Sequence, residues 1–151
     1  MPKASRRAWR RLGNAAKIFP STSEQSDTRV FRFSAELTEP VDPDMLQTAL
    51  EQALALFPLF RCVMRRGAFW YYLEECDLTP RVGPEVKHPC PSLYDGSHQS
   101  LLFEVTFYKT KINLEFFHVL TDGTGAISFL TALLHAYLNL RHPEALAGLQ
   151  P

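Results

Sequence analysis

The run Phe116-Phe117-His118-Val119-Leu120-Thr121-Asp122-Gly123-Thr124-Gly125 is the one stretch of this 151-residue chain whose residue types and spacing suggest a reaction. His118 ends a strongly apolar segment. An imidazole takes up and returns a proton near neutral pH, and one fixed at a strand end is a candidate general base, a role worth roughly 10²–10⁴-fold in rate. The competing reading is a core histidine satisfied by a backbone carbonyl. Asp122 and Gly123 follow four and five positions later. Asp122 lies too far along a turning backbone to be taken as a triad partner. Its carboxylate suits capping of a helix that starts near Gly123, or pairing with an arginine to hold the turn. Gly123 and Gly125 let the backbone bend and leave room for a ligand to pass.

The elements that must position these residues are legible as patterns. Val30 to Leu37 alternates, which predicts a strand with Phe31, Phe33, Ala35 and Leu37 facing inward. Asp42-Pro43 reads as a helix start, because aspartate accepts free first-turn amides and proline needs no donor there. Leu46, Ala49, Leu50, Ala53, Leu54 and Phe57 then form one apolar stripe, and Pro58 ends it. Leu59–Met64 and Ala68–Leu73 are predicted strands joined by a tight hairpin at Arg65-Arg66-Gly67, with glycine free to take positive φ. Prolines and glycines between residues 77 and 100 predict a long irregular connection with room for one short strand. Leu101–Tyr108 and Ile112–His118 alternate on either side of a turn at Lys109-Thr110-Lys111. Ile112, Leu114, Phe116 and His118 fall on one face, with Asn113, Glu115 and Phe117 on the other. After Gly125, a helical stripe contains Ala126, Ile127, Leu130, Leu133, Leu134, Tyr137 and Leu138. The order β-α-β-β-β-β-α predicts an α/β (α+β) fold, a mixed, largely antiparallel sheet with helices packed on one face. The expected organisation is a basic arm (or short helix) and loop over 1–28, a single lobe over 29–143 and a tail over 144–151.

Composition narrows the function. Sixteen basic and sixteen acidic side chains cancel, which argues against a dedicated nucleic-acid binder and leaves little repulsion to oppose self-association or a partner. Cys62, Cys76 and Cys90 form no CxxC pair. Cys62 reads as a core residue, and the set points to a reducing cytoplasm. The most apolar window, Ala126 to Leu140, spans 15 residues; at about 1.5 Å each it falls short of a ~30 Å bilayer core, so no membrane span is expected. The acid-free start with Lys3, Arg6, Arg7, Arg10, Arg11 and Lys17 superficially resembles a transit peptide and is read as a plain N-terminal segment.

Other chemistries fit poorly. Gly123-Thr124-Gly125 lacks the third glycine of a dinucleotide fingerprint. No Gly-x-Ser-x-Gly elbow occurs. His88, His98, Cys76 and Cys90 are too scattered for zinc. Phe69, Trp70, Tyr71 and Tyr72 read as sheet residues rather than base-stacking platforms. His135 and His142 read as surface or cap residues of the last helix.

His118 through Gly123 resembles the His-x-x-x-Asp-Gly motif of the coenzyme A-dependent acyltransferase superfamily, which includes chloramphenicol acetyltransferase, condensation domains of nonribosomal peptide synthesis and plant acyltransferases. Leu12–Pro20, Arg66–Tyr72, Pro89-Cys90-Pro91 and the helix through Leu134 are most similar to bacterial alcohol-acetyltransferase-like proteins, so the resemblance spans nearly the whole chain. It implies a chloramphenicol-acetyltransferase-like half. It also implies that His118 takes a proton from an acceptor alcohol, amine or thiol as that group attacks an acyl thioester. Asp122 would be a structural residue paired with an arginine, and Gly123 would keep the substrate channel open. Acyl-CoA, or an acyl-carrier protein, would be the co-substrate, with no cofactor bound and no metal.

Two departures from the family are visible. Phe117 stands where many members carry a second histidine, which plant-type members also lack. Family enzymes also have two lobes with the histidine at their interface, and their second lobe carries an Asp-Phe-Gly-Trp-Gly segment that nothing after His118 resembles. The resemblance therefore implies an N-terminal lobe completed by a second one. The alternative is a catalytically incomplete lone lobe that acts as a binding or assembly module, associating through the His118 face. Either way, that face is expected to expose apolar surface.

Overall fold

Alternating apolar residues and two capped helices build two sheets covered on one side by helices. A computed structural model describes residues 9–11, 29–93 and 100–147. Strand β1 is Trp9–Arg11 and β2 is Val30–Glu36; helix α1 spans Pro43–Leu56. A single 3₁₀ turn, Pro58–Arg61, leads into β3, Cys62–Arg66, and β4, Tyr71–Glu75. Then follow β5, Gly83–Pro84; β6, Phe103–Tyr108; β7, Lys111–Phe117; α2, Gly123–Arg141; and the short α3, Pro143–Leu146. One sheet has the order β1-β4-β3 and the other β2-β7-β6-β5. All pairings are antiparallel except β5 with β6. A bridge between Val63 and Leu101 joins the two sheets.

The mixed, mostly antiparallel architecture is the one the pattern predicts. The first helix is too: Asp42 accepts the amides of Asp44 and Met45 at 3.0 Å, and Leu46, Ala49, Leu50, Ala53 and Leu54 are buried. Helix α2 packs beside α1. Tyr137 Oη accepts the Asp42 amide at 3.0 Å, and Arg141 and His142 reach Asp42 and Glu39 at the same end. Phe129 of α2 stacks on Phe60 with centroids 4.0 Å apart and meets Phe57 and Phe103 edge-on. Each such ring taken out of water stabilises the fold by roughly 1.5–3 kcal/mol.

Several expectations change. Phe31 is 45% exposed rather than inward, because β2 is an outer strand whose end lies clear of the helices, while Val30 on the opposite face is buried. In α2 the buried stripe includes Phe129, and Ile127 is exposed. Strand β3 begins only at Cys62, because Pro58 starts a 3₁₀ turn, and it runs through Arg66. The hairpin loop is therefore 67–70, which takes Phe69 and Trp70 out of the strand. Gly67 does not use positive φ; a Cβ there would meet Trp70 O at 3.1 Å, so glycine serves close approach. The two-residue turn after β6 instead places Lys109 at φ 52°, as such hairpins require. Trp9–Arg11 form a strand inside the segment read as an arm or short helix, and α3 begins at Pro143 and extends past the predicted lobe boundary. The remainder of 1–28, His98 and residues 148–151 lie outside the described residues. Among the described residues, no helix is long and apolar enough to cross a membrane.

Candidate functional site

His118 is the first residue past β7, an interior strand held by β2 on one side and β6 on the other. Its amide donates to Arg29 O at 3.0 Å, and the Phe117 amide donates to Leu102 O at 2.8 Å, so the chain is clamped from both neighbours where the strand ends. Arg29 takes a left-handed conformation, φ 54°, which costs a non-glycine residue about 1–2 kcal/mol and presents its carbonyl to His118. The Leu120 amide returns to Phe117 O at 2.8 Å, closing a turn whose Val119 and Leu120 side chains are buried. His118 is thus on rigid backbone, half-buried, with its ring edge-on to Phe31 at 4.9 Å between centroids. Phe116 stacks behind Phe31 and Phe33.

The turn then enters α2. Asp122 Oδ1 accepts the Gly125 amide at 2.8 Å, and Asp122 O accepts the Ala126 amide at 3.0 Å. This capping geometry is one of the two roles its position suggests. Among the described residues, no arginine lies within ion-pair distance of Asp122, whose carboxylate is turned into its own helix N-terminus. A Cβ at Gly123 would lie 3.9 Å from Phe33 Cζ, an ordinary contact, so the protein interior does not demand glycine there. Gly125 is different. A Cβ there would fall 2.0 Å from Thr121 Oγ1 and 3.4 Å from Thr121 Cβ. Gly125→Ala is expected to lose about 1–2 kcal/mol by overpacking, partly offset by alanine's helix propensity. Thr121→Ala in the same chain should recover most of the loss, as read by urea denaturation of both singles and the double.

The exposed Phe31 leaves apolar surface beside His118, as expected, and Ile127, one turn on from Gly123, is exposed as well. Two cavities among the described residues lie elsewhere. One of about 350 Å³ is lined by Pro80, Arg81, Lys87, Leu93, Phe103 and neighbouring residues, and a small one lies between Arg32, Glu85 and Glu115; His118 lines neither. Among the described residues, no cluster of three or more His, Cys, Asp or Glu side chains is placed to hold a metal.

The opposite face of the sheet carries a polar network that the alternation pattern did not single out. Arg32 of β2 bonds Glu115 of β7 through Nε at 2.7 Å and Nη2, and Glu85 through Nη1 at 2.6 Å. Asn113 donates to Glu85 Oε2 at 3.1 Å and accepts from Ser34 at 2.7 Å, and the Cys90 amide donates to Glu115 at 3.3 Å. The segment 85–90 is thereby strapped across the sheet. Burial works against the Arg32 charge, but the hydrogen bonds to Glu85 and Glu115 outweigh it and raise its pKa. The Arg32 hydrogen bond holds Glu85 below the usual carboxylate range. Burial, then the Glu115 charge, pushes the Cys90 thiol up, away from reactivity. A signal for this network existed: single charges at Arg32 and Glu115 in the middle of two aromatic-rich strands.

No protein-family model matches the sequence, and no curated protein is similar to it by sequence. Solved structures do match. Polyketide synthase associated protein 5 from Mycobacterium tuberculosis superposes with a TM-score of 0.67 at 16% identity, over 87% of this chain and 33% of that one. The starter condensation domain of rhizomide synthetase RzmA gives 0.72 at 12% identity, over 90% of this chain and 39% of that domain. This chain has the condensation-domain fold. A variant of the RzmA domain in complex with C8-CoA gives 0.73 at 13% identity, over 88% of this chain and 36% of that one. The chain therefore spans between 33% and 39% of the length of these condensation-domain-fold proteins.

Proposed function

We propose that this chain is the N-terminal lobe of an acyltransferase of the coenzyme A-dependent superfamily, alcohol-acetyltransferase-like, with His118 as its general base. The observation that carries the reading is His118 itself, clamped past β7 by Arg29 O and by the Asp122-capped turn, in a fold shared with a domain solved with C8-CoA. In this mechanism an imidazole nitrogen of His118 takes the proton of an acceptor alcohol or amine as its heteroatom attacks the thioester carbonyl. The tetrahedral oxyanion collapses, the carbon–sulfur bond breaks, and the imidazolium returns the proton to the leaving thiolate. Asp122 and Gly123 shape the turn. The exposed Phe31 beside His118 is surface a second lobe would cover, turning an open wall into a water-poor channel. Cys62, Cys76 and Cys90, none of them in a disulfide, fit a reducing bacterial cytoplasm.

The test is thiol release from short acyl thioesters, screened against alcohols and amines, with the polypeptide or pair of polypeptides that contains both lobes. Acceptor-dependent release supports the reading; none with any acceptor overturns it. The openness of the His118 face favours a second reading, a lone lobe that assembles through that face. Sedimentation decides it: dimerisation lost on Phe31→Glu supports assembly, and a monomer at high concentration excludes it.

A further inference from the structure

The small sheet carries a feature unrelated to His118. At the tip of the β3–β4 hairpin, Phe69 is 92% exposed and Trp70 is 50% exposed. The loop is not slack: the Gly67 amide donates to Trp70 O at 2.6 Å, and no side chain would fit at Gly67 without pressing on that oxygen. The tight turn thus holds Phe69 out into solvent and leaves the Trp70 indole, which lies over Gly67, half exposed. Arg66, exposed, sits at the base of the same loop. Acidic charge nearby is spoken for, since Glu74 is paired with Arg65 at 2.8 Å.

Strand pairing sets β1 along the hairpin. β1 lies beside β4, with Arg11 opposite Tyr72 and Arg10 opposite Leu73, so its last residue reaches the tip end of the hairpin. Residues 1–17, to which β1 belongs, hold six basic side chains and no acid in a chain that is neutral overall. Among the described residues, exposed Arg66 lies next to the loop that carries the indole and phenyl ring at one end of the small sheet.

We infer that this tip docks the lobe peripherally on an anionic lipid surface. The chemistry matches on both counts. Tryptophan and phenylalanine at a hairpin tip enter the boundary between headgroups and acyl chains, while the Arg66 guanidinium meets a phosphate headgroup. A nucleic acid fits less well, because the aromatics form a point rather than a basic groove. A protein partner would be expected to meet a broader patch than two side chains.

The experiment is co-sedimentation of the full chain with vesicles of phosphatidylcholine, with and without phosphatidylglycerol, at low and high salt. The expected result is partition onto the phosphatidylglycerol vesicles that weakens with salt. It should fall by at least about tenfold in Phe69→Ser/Trp70→Ser and in Arg66→Glu, with circular dichroism unchanged. No partition onto anionic vesicles, equal partition onto pure phosphatidylcholine, or partition unaffected by the Phe69→Ser/Trp70→Ser change would overturn the inference. So would binding confined to an oligonucleotide or to a protein. None of these outcomes depends on acyl transfer.

Discussion

Replacing His118 with alanine is expected to lower acyl transfer by about 10²–10⁴-fold in the two-lobed protein, with the loss in kcat and little change in KM for the thioester. The imidazole acts on the acceptor's proton in the transition state, while binding of the thioester uses other surfaces. The fold should not notice the change. His118 is half-buried, its backbone amide bond to Arg29 O survives the substitution, and Val119 and Leu120 still anchor the turn. A thermal midpoint within about 2 °C of the parent is expected, as for other substitutions outside the core. Turnover in His118→Ala equal to the parent's would sink the general-base assignment.

Replacing Arg32 with alanine is expected to produce the largest loss of stability, about 3–5 kcal/mol, because it leaves Glu115 buried without its counter-charge. Glu115 has 3% of its side chain exposed, and Glu85 loses its nearest cation in the same step. Urea denaturation reads the effect. If the single variant proves too unstable to purify, Arg32→Met/Glu115→Gln keeps the network testable. It removes both charges while retaining an acceptor for the Cys90 amide, and it should recover most of the loss. The sign of the pH dependence follows from Glu85. Its folded pKa is depressed below the ordinary 4.5, so its contribution is complete above that value and fades as pH falls through the depressed one. The gap between parent and Arg32→Ala should therefore narrow in acid. A gap that widens below pH ~4.5 would contradict the ion-pair account.

Much of the fold was legible because its signals are local. Asp42-Pro43 announces a helix through capping chemistry confined to one turn, and the alternation from Ile112 to Phe117 assigns both faces of β7 correctly. The His118 motif was legible for the same reason, since a strand end, a cap and two glycines fit within ten residues. What failed was non-local. Phe31 and Phe33 occupy the same phase of β2, yet only the reach of helices far along the chain decides that Phe33 is half-covered and Phe31 open beside the imidazole. The hairpin loop slipped from Arg65-Arg66-Gly67 to 67–70 because Pro58 spends four residues on a 3₁₀ turn and delays β3, a shift that aromatic strand propensity at Phe69-Trp70 conceals.

By itself the sequence determined the element types, the sheet's mixed character and the candidate base, because hydrophobic period and caps act over a few residues. Only the tertiary structure decided that the Asp122 carboxylate turns onto its own helix N-terminus. It also decided that Arg32 joins partners 53 and 83 residues away, and that Phe69 and Trp70 project into solvent. Those outcomes depend on which surfaces meet once chain segments distant in sequence pack together, and no local pattern encodes that.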